Sequence, residues 1–296
     1  MREFSRRGAA PLSALTGIRA LLRPTAISVC AEIELLRLLR RRRALLGEMV
    51  RRELTQQYAG QVLGALWAVG HPLAQIGVYV FLFAVVFNTK IGGTYALPLD
   101  YTTYLLSGLL PWIGFQQSLL LTSTAISSNA SLVKQVVFPI EILPLKSAIS
   151  SLAPQLIGTA GLVAYVFFTH GIPPVTYLLV PLLFACQLAA MAGIGFLLAA
   201  TGAFLRDLKD IVQVLALINA YLMPIFYLPS WVPDLFRPVI YLNPFSYMIW
   251  CYQDALYFGR FEHPAAWPIF GIGAFLLFGF GYRAFRRLKP SFGNVL

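Results

Sequence analysis

Six long apolar blocks, each nearly free of charged residues, constrain this chain of 296 residues more than any other feature. They cover approximately residues 62–87, 101–123, 149–168, 177–203, 211–228 and 267–282. A helix needs roughly 20 mostly apolar residues to cross the hydrocarbon layer of a bilayer. Backbone groups in that layer must be hydrogen-bonded internally, and blocks without hairpin turns favour helices over a β-barrel. The sequence therefore predicts an all-α membrane protein with six transmembrane helices.

The composition excludes several other classes of protein. Charged residues make up 12% of the chain, about half of the roughly 25% that soluble domains carry. The net charge is +11, but the positive residues form short clusters between apolar blocks and no single basic face, so we expect no nucleic-acid partner. The cysteines and histidines are scattered, at Cys30, Cys186, Cys251, His71, His170 and His263. Their spacing predicts neither a metal site nor a disulfide framework.

Lysine and arginine positions predict the orientation, because short cytoplasmic loops retain these residues. They cluster in the N-terminal "RLLRRRR" and "RRE", in the loop after Ser123, in "RDLKD" and in the final "YRAFRRLKP". The alternate loops are nearly free of them: residues 88–100 hold only Lys90, and residues 169–176 hold none. No signal-peptide core is found in the first sixty residues. We therefore expect both termini in the cytoplasm.

The chain divides into a basic N-terminal arm, residues 1–43, and a membrane domain, residues 44–296. We expect the arm to be partly disordered. Residues 44–60 predict an amphipathic helix on the inner membrane surface, since apolar side chains recur at helical spacing opposite Arg51 and Arg52. These arginines are candidates to bind anionic headgroups, or they only enforce the orientation.

Residues 229–264, between the fifth and sixth blocks, are rich in aromatic residues and proline. Their apolar runs of about 10–14 residues are too short to cross the bilayer. We expect short re-entrant helices in the outer leaflet, packed against protein. Trp231, Tyr241 and Tyr247 then lie at an outer gate, or they form an aromatic belt at the interface.

Aromatic residues inside the spans are candidates for a channel lining. Tyr and Trp stack on the apolar faces of sugar rings and bond their hydroxyl groups, which suits a sliding carbohydrate. Packing or contact with lipid is the alternative for each one. The candidates are Tyr79, Phe83, Tyr104, Trp112, Tyr221, Phe226 and Tyr227.

No motif in the chain predicts catalysis. The sequence lacks the phosphate-binding G-x-x-x-x-G-K-[ST], G-x-S-x-G and H-E-x-x-H motifs. The spans also lack the deep acidic residue that a proton- or sodium-coupled pump needs. We therefore expect a non-catalytic subunit that binds no cofactor itself and takes its energy from another subunit.

Three stretches carry a resemblance to a known family: "YAGQVLGALWAVGHPLAQIGVYVFLFAVVF", "YLLSGLLPWIGFQQSLLLTSTAISSNASLVKQVVFPIEILPLKS" and "LNPFSYMIWCYQDALYFG". Together they resemble the membrane subunits of ABC-2 type polysaccharide exporters, over roughly residues 45–290. The resemblance implies a homodimer in the bacterial inner membrane. It also implies an ABC ATPase subunit, carrying ATP and Mg²⁺, docked on each copy. The cargo implied is a polysaccharide on undecaprenyl diphosphate, such as O-antigen, capsule or teichoic acid.

The resemblance also implies roles for particular residues. Residues 129–138, the coupling segment, match the helix that docks on the ATPase, and a second loop, residues 204–211, matches a further contact. A polar turn that only holds the orientation is the alternative for both. Arg51, Arg52 and Tyr58 match the interface helix, where arginine suits a lipid diphosphate. The candidate ATPase contacts are Asn129, Leu132, Val133, Lys134, Val136, Phe138, Arg206, Asp207 and Lys209.

Local physics agrees with the first assignment. A short helix capped near Ser128 or Asn129, and ended by Pro139, is a compact lever. Two other functions stay open for the whole chain: an ABC-2 exporter of a small hydrophobic drug or lipid, and a membrane enzyme or scaffold. The chain departs from the family pattern at Ala59, where a basic residue is common, and at His71, where asparagine is common.

Overall fold

The computed structural model describes residues 37, 40–57, 66–82, 98–134, 138–205 and 207–294. Within these residues the secondary structure is helical and contains no strand, which confirms the all-α prediction for this part of the chain. Four predicted site residues, Tyr58, Phe83, Val136 and Arg206, and residues 1–36 of the basic arm lie outside the described residues.

Eleven α-helices form the described part of the chain. They are α1 (Arg43–Gln57), α2 (Leu66–Val80), α3 (Tyr101–Ser123), α4 (Ala130–Val133), α5 (Ile142–Ser150), α6 (Leu152–His170), α7 (Val180–Gly202), α8 (Leu208–Leu222), α9 (Arg237–Leu242), α10 (Pro244–Gln253) and α11 (Ala266–Leu288). Short 3-10 or π-helical segments extend four of them, at Ser127–Asn129, Val175–Leu179, Asp254–Phe258 and Lys289–Asn294.

Three helical segments of the described chain are long and apolar enough to cross a membrane: Ile142–His170, Val175–Gly202 and Ala266–Phe292. They correspond to the third, fourth and sixth predicted spans. Helix α3 has the predicted bounds of the second span, while the described parts of α2 and α8 are 15 residues each. The count of six spans therefore stays a prediction.

Helix α3 is the centre of the bundle. Eighteen of its 23 residues are buried, and it contacts α5, α6, α7, α8 and α10. Some of its hydroxyl groups bond within the helix: Ser107 donates to the Tyr104 carbonyl at 2.7 Å and Thr122 to the Ser118 carbonyl at 2.6 Å. Bonds of this kind satisfy a buried hydroxyl group without a partner on another helix, so α3 can bury such residues.

The most extensive helix–helix contact in the described part of the chain is that of α7 with α11. A Cβ added at Gly281 would overlap the carbonyl oxygen of Gly193, so the two backbones touch where glycine leaves space. A similar approach occurs at the ends of α7 and α3, where a Cβ at Gly202 would overlap the Ser123 carbonyl oxygen. Small residues thus set the helix spacing in this part of the molecule.

A separate apolar core lies at the predicted cytoplasmic end. This inner cluster consists of Ala125, Ile126, Val133, Leu143, Leu145, Ala192, Phe196, Ala199, Ala200, Tyr282, Phe285 and Phe292. Leu46 and Met49 of α1 and Phe138 of the coupling segment pack against it. The N-terminal helix, the first loop (residues 124–141) and the C-terminal turn therefore share one core.

Residues 229–264 form short helices, as predicted. Asn243 separates α9 from α10, and its side-chain oxygen accepts a hydrogen bond from the Phe245 N–H at 3.0 Å. Helix α10 is largely buried against α3 and α11. Packing against protein is the condition under which such short helices survive at membrane depth. Their re-entry into the bilayer stays a prediction.

Candidate functional site

Among its described residues, the coupling segment is helical only as far as Val133. One turn, α4, follows the 3-10 turn Ser127–Asn129 and ends at Val133, and residues 135–137 lie outside the described residues. The predicted side-chain cap is wrong: Asn129 occupies the N-cap position of α4, but its amide donates to the Ala125 carbonyl at 2.9 Å. That hydrogen bond ties the segment back to the end of α3.

The coupling segment has a buried and an exposed side. Val133 is buried in the inner cluster and Phe138 packs against it, so these two predicted contacts anchor the segment. Ser131 and Lys134 are exposed. An anchored turn with free polar side chains is suited to docking a second protein, because its backbone is fixed before binding.

A polar cavity of about 350 Å³ lies between α1 and the coupling segment. This polar pocket is lined by Met49, Arg52, Glu53, Gln56, Ser128, Asn129, Ser131, Leu132 and Lys146. Arg52, Asn129 and Leu132, predicted in two separate motifs, thus meet at one site. Hydroxyl, amide and guanidinium donors predominate, so the pocket is suited to an anionic group. Arg51 is exposed on the same helix.

Two ion pairs hold the base of α5. Lys146 donates to Glu53 of α1 at 2.5 Å, and Lys289 donates to Glu141 at 2.6 Å. The Lys146 and Glu141 side chains are 9% and 6% exposed, so both pairs are shielded from water on one side. A partly buried ion pair resists removal of either member, since the remaining charge is left without a partner.

The second loop is exposed. Asp207 and Lys209 lie on its surface, on either side of the start of α8. Phe204 contacts Phe292 of the C-terminal turn, with ring centroids 6.1 Å apart. The second loop therefore reaches the inner cluster through an aromatic contact.

Three of the predicted channel aromatics come together. Tyr221 of α8 stacks on Phe226 with centroids 5.4 Å apart, and Tyr79 of α2 lies 6.2 Å from Phe226. Tyr227 donates to the Tyr221 carbonyl at 2.9 Å and supports this aromatic cluster. The Tyr221 side chain is 62% exposed, so the cluster presents a ring to its surroundings.

Tyr104 and Trp112 are placed differently from the prediction. Each is 1% exposed inside the single chain. The Tyr104 hydroxyl donates to the Pro224 and Tyr227 carbonyls at 3.1 and 3.0 Å, and Trp112 packs on Phe245. Because neither ring faces outward, these two residues pack the bundle and leave no surface for a polymer.

The outer aromatic residues form a layer on Trp250. Tyr241 and Tyr247 both contact this buried ring with centroids 5.2 Å apart, and Tyr247 donates to the Tyr241 carbonyl at 2.7 Å. Trp231 is half exposed in the turn after α8. The structure brings Tyr241 and Tyr247 together, and their role in a gate stays a prediction.

Buried polar networks were not predicted from the sequence. Gln155, Gln187 and Tyr252 hydrogen-bond to one another, and Gln187 also donates to the Pro111 carbonyl at 3.0 Å. These contacts join α3, α6, α7 and α10. In the sequence, Gln155 and Gln187 are single amide residues within apolar helices, and hydrophobic periodicity does not identify their partners.

Asp100 forms a second network at the N-terminus of α3. It accepts hydrogen bonds from Thr103 at 2.6 Å, Tyr165 at 2.8 Å and His170 at 3.2 Å. Burial opposes ionisation, but these hydrogen bonds and the attraction of His170 outweigh it and lower the pKa of the Asp100 carboxyl below its usual value. Within the described residues, no group of three His, Cys, Asp or Glu side chains is placed to hold a metal ion.

Comparison with known proteins yields matches along most of the chain. The profile of a family described as ABC-2 type transporter matches residues 44–257. Two proteins described as O-antigen export system permease protein RfbA, from Klebsiella pneumoniae, are 26% and 27% identical over 85% of this chain and 95% of each relative. One of that description from Myxococcus xanthus is 31% identical over 82% of this chain and 90% of the relative. The family match includes the coupling segment, the polar pocket and the aromatic cluster.

Proposed function

The chain belongs to the ABC-2 type transporter family, as the resemblance predicted, and we propose that it is the permease subunit of an ATP-driven polysaccharide exporter. The observation that carries this proposal is the similarity to three O-antigen export permeases over 82–85% of the chain. Its cargo is an O-antigen-like polysaccharide on undecaprenyl diphosphate. It acts as a homodimer in the bacterial inner membrane, with both termini in the cytoplasm.

The energy comes from a separate ABC ATPase subunit that binds ATP and Mg²⁺. The absence of a phosphate-binding motif in the full sequence supports a separate source of energy. The ATPase docks on the exposed side of the coupling segment, at Ser131 and Lys134, and on Asp207 and Lys209 of the second loop. Burial of Val133 supports this role, because a turn that is fixed to the core passes a movement of the ATPase to the membrane helices, whereas a mobile loop would not.

The polysaccharide meets the aromatic cluster and the diphosphate meets the polar pocket. The exposed ring of Tyr221 is suited to stacking on a sugar. Arg52 supplies a guanidinium group, which pairs with two phosphate oxygens at once. Lys146 contributes less free charge to the pocket, because Glu53 already pairs with it.

Transport in sealed vesicles tests the proposal. The chain is purified with its ATPase, reconstituted, and supplied with lipid-linked polysaccharide and ATP. We expect the polymer to become protected from an external glycosidase only with both subunits and ATP present. Transport by the chain alone would contradict the proposal that a separate ATPase subunit supplies the energy. Transport of a small hydrophobic drug or lipid, without transport of polymer, would contradict the proposal that the cargo is a polysaccharide.

Lys134→Glu tests the docking surface. We expect this charge reversal to detach the ATPase or to reduce transport by roughly tenfold or more, because like charges across an interface cost several kcal/mol. Co-purification and transport are measured together. The matched control is Arg260→Glu, an exposed residue of the outer segment whose partner is Glu262. A Lys134→Glu complex that assembles and transports normally would contradict the assignment.

A further inference from the structure

The C-terminal turn, Lys289–Asn294, is held in the protein by two specific contacts. It follows α11 directly and ends the described chain. Phe292 within it is 0% exposed and belongs to the inner cluster. The sixth span predicted from the sequence, residues 267–282, ends before the turn, although the apolar helical segment Ala266–Phe292 extends into it. The positions that it touches lie in both loops proposed to receive the ATPase.

The first contact is an ion pair with the first loop. The Lys289 ammonium group donates to one carboxylate oxygen of Glu141 at 2.6 Å. The other oxygen of Glu141 is buried and has no hydrogen-bond partner among the described residues. Lys289 therefore balances the charge of Glu141. Separating the two residues would leave a buried carboxylate without a partner, which is unfavourable in free energy. Glu141 also precedes the first residue of α5, so the pair fixes the end of the loop.

The second contact is aromatic and reaches the second loop. The Phe292 ring lies 6.1 Å from Phe204 and 5.4 Å from Phe285 of α11. Phe285 in turn lies 5.2 Å from Phe196 of α7. Phe204 is thereby joined to the same core that buries Val133 of the coupling segment. Aromatic contacts of this kind stabilise a core beyond the effect of the area they bury.

We propose that the C-terminal turn is a clasp that makes the two cytoplasmic loops move as one unit when the ATPase acts on them. Lys289 and Phe292 are positioning residues that act through Glu141 and Phe204. The proposal rests on the proposed function, since it assumes that these loops receive the ATPase. Without the clasp, each loop moves independently of the other, and less cargo is transported for each ATP hydrolysed.

The experiment compares transport per ATP hydrolysed in the reconstituted complex. Lys289→Gln removes the charge and Phe292→Ala removes the ring. We expect transport per ATP to fall roughly tenfold in each, with ATP hydrolysis within about twofold of normal, as coupling residues distant from a ligand can produce. Phe292→Leu should fall between Phe292→Ala and the unaltered complex. Ser291→Ala, at an exposed position in the same turn, is the matched control.

Charge exchange separates coupling from simple stabilisation. Glu141→Lys and Lys289→Glu should each uncouple the complex, and the double exchange should recover much of the transport per ATP. Melting temperature and co-purification are followed in every variant. Variants that lose transport and ATP hydrolysis in proportion to their melting temperature would overturn the clasp, as would unchanged transport per ATP in both Lys289→Gln and Phe292→Ala.

The same measurements separate this inference from the function on which it rests. If the unaltered complex transports polymer and Lys134→Glu uncouples it, while every clasp variant behaves normally, only the clasp is overturned. If the unaltered complex with ATP moves no polymer, the proposed function fails and the clasp falls with it.

Discussion

Helices α7 and α8 are both apolar, yet α7 is enclosed by the protein and α8 is covered on one side only. In α7, Leu182 is the one strongly exposed large apolar side chain. Only Val212, Ala216 and Ala220 of α8 are buried. The exposed large residues of α8 are Ile211, Val214, Leu215, Leu217, Ile218, Tyr221 and Leu222.

Small residues explain the difference. Gly193 and Gly281 bring the α7 and α11 backbones into contact, and membrane helices associate by such close packing because lipid is as apolar as leucine. Helix α8 buries only alanine and valine and keeps its bulky side chains outward. That outward face is available to lipid, a second copy or cargo. The comparison therefore distinguishes α7, which packs inside the protein, from α8, which presents bulky apolar side chains to its surroundings.

The largest expected effect is on the α7–α11 contact. In Gly281→Ala the new methyl group would overlap the Gly193 carbonyl oxygen, so the helices must separate. We expect a loss of about 1–3 kcal/mol of stability, the usual cost of overpacking, measured as a lower melting temperature in detergent. Gly271→Ala on the same helix is the control, because no atom lies within 4 Å of the added carbon. Equal effects of the two substitutions would break the comparison.

The next effect concerns the polar network in the enclosed region. Gln187→Leu would leave Gln155, the Tyr252 hydroxyl and the Pro111 carbonyl short of one partner each. We expect a loss of about 1–2 kcal/mol, since hydrogen bonds between membrane helices contribute modestly. Melting temperature is again the measurement, and Thr201→Val, whose exposed hydroxyl bonds only within α7, is the control. A variant as stable as the original would show that apolar packing alone holds this region.

Helix positions could be predicted from the sequence more fully than helix surroundings. The predicted span 101–123 coincides with α3 because an uncharged apolar run has visible ends. Helix α5 begins at Ile142, seven residues before the predicted third span, because Pro144 lies in the first turn, where proline is tolerated. Hydropathy marks where apolar residues occur and not what they contact.

The candidate site was harder to predict for the same reason. The Lys146–Glu53 and Lys289–Glu141 pairs join residues 93 and 148 positions apart, and no local pattern links them. Tyr104 and Tyr221 look alike in the sequence, yet one is enclosed and the other exposed. In a helix that is apolar all round, periodicity does not distinguish the protein-facing side from the outer side.

A smaller effect is expected on the exposed face of α8, and in transport instead of stability. Tyr221→Ala removes the exposed ring of the aromatic cluster. We expect transport of polymer to fall about two- to tenfold, corresponding to about 0.5–1.5 kcal/mol for an aromatic contact, with the melting temperature little changed. Phe275→Ala is the control, because Phe275 is a similarly exposed ring on α11. If both variants transport equally well, α8 does not contact the cargo. The comparison of α7 with α8 then has no consequence for transport.

The smallest expected effect sharpens the comparison at the edge of the enclosed region, where Asp100 ties α3 to α6. The folded state lowers the pKa of Asp100, so its stabilising contribution is complete above the unfolded value of about 4 and is lost as pH falls further. Asp100→Asn should therefore cost less than about 1 kcal/mol at pH 7, the range of part-exposed pairs, and the deficit should shrink below about pH 4. Melting temperatures of both proteins between pH 7 and pH 3 measure this, with Glu262→Gln as an exposed control.

A loss of stability at neutral pH that is larger than that of Gly281→Ala would mean that polar interactions, and not close backbone contact, determine the stability of the enclosed region. A deficit independent of pH would show that the amide fails as a hydrogen-bond acceptor there, and that the charge of Asp100 contributes nothing.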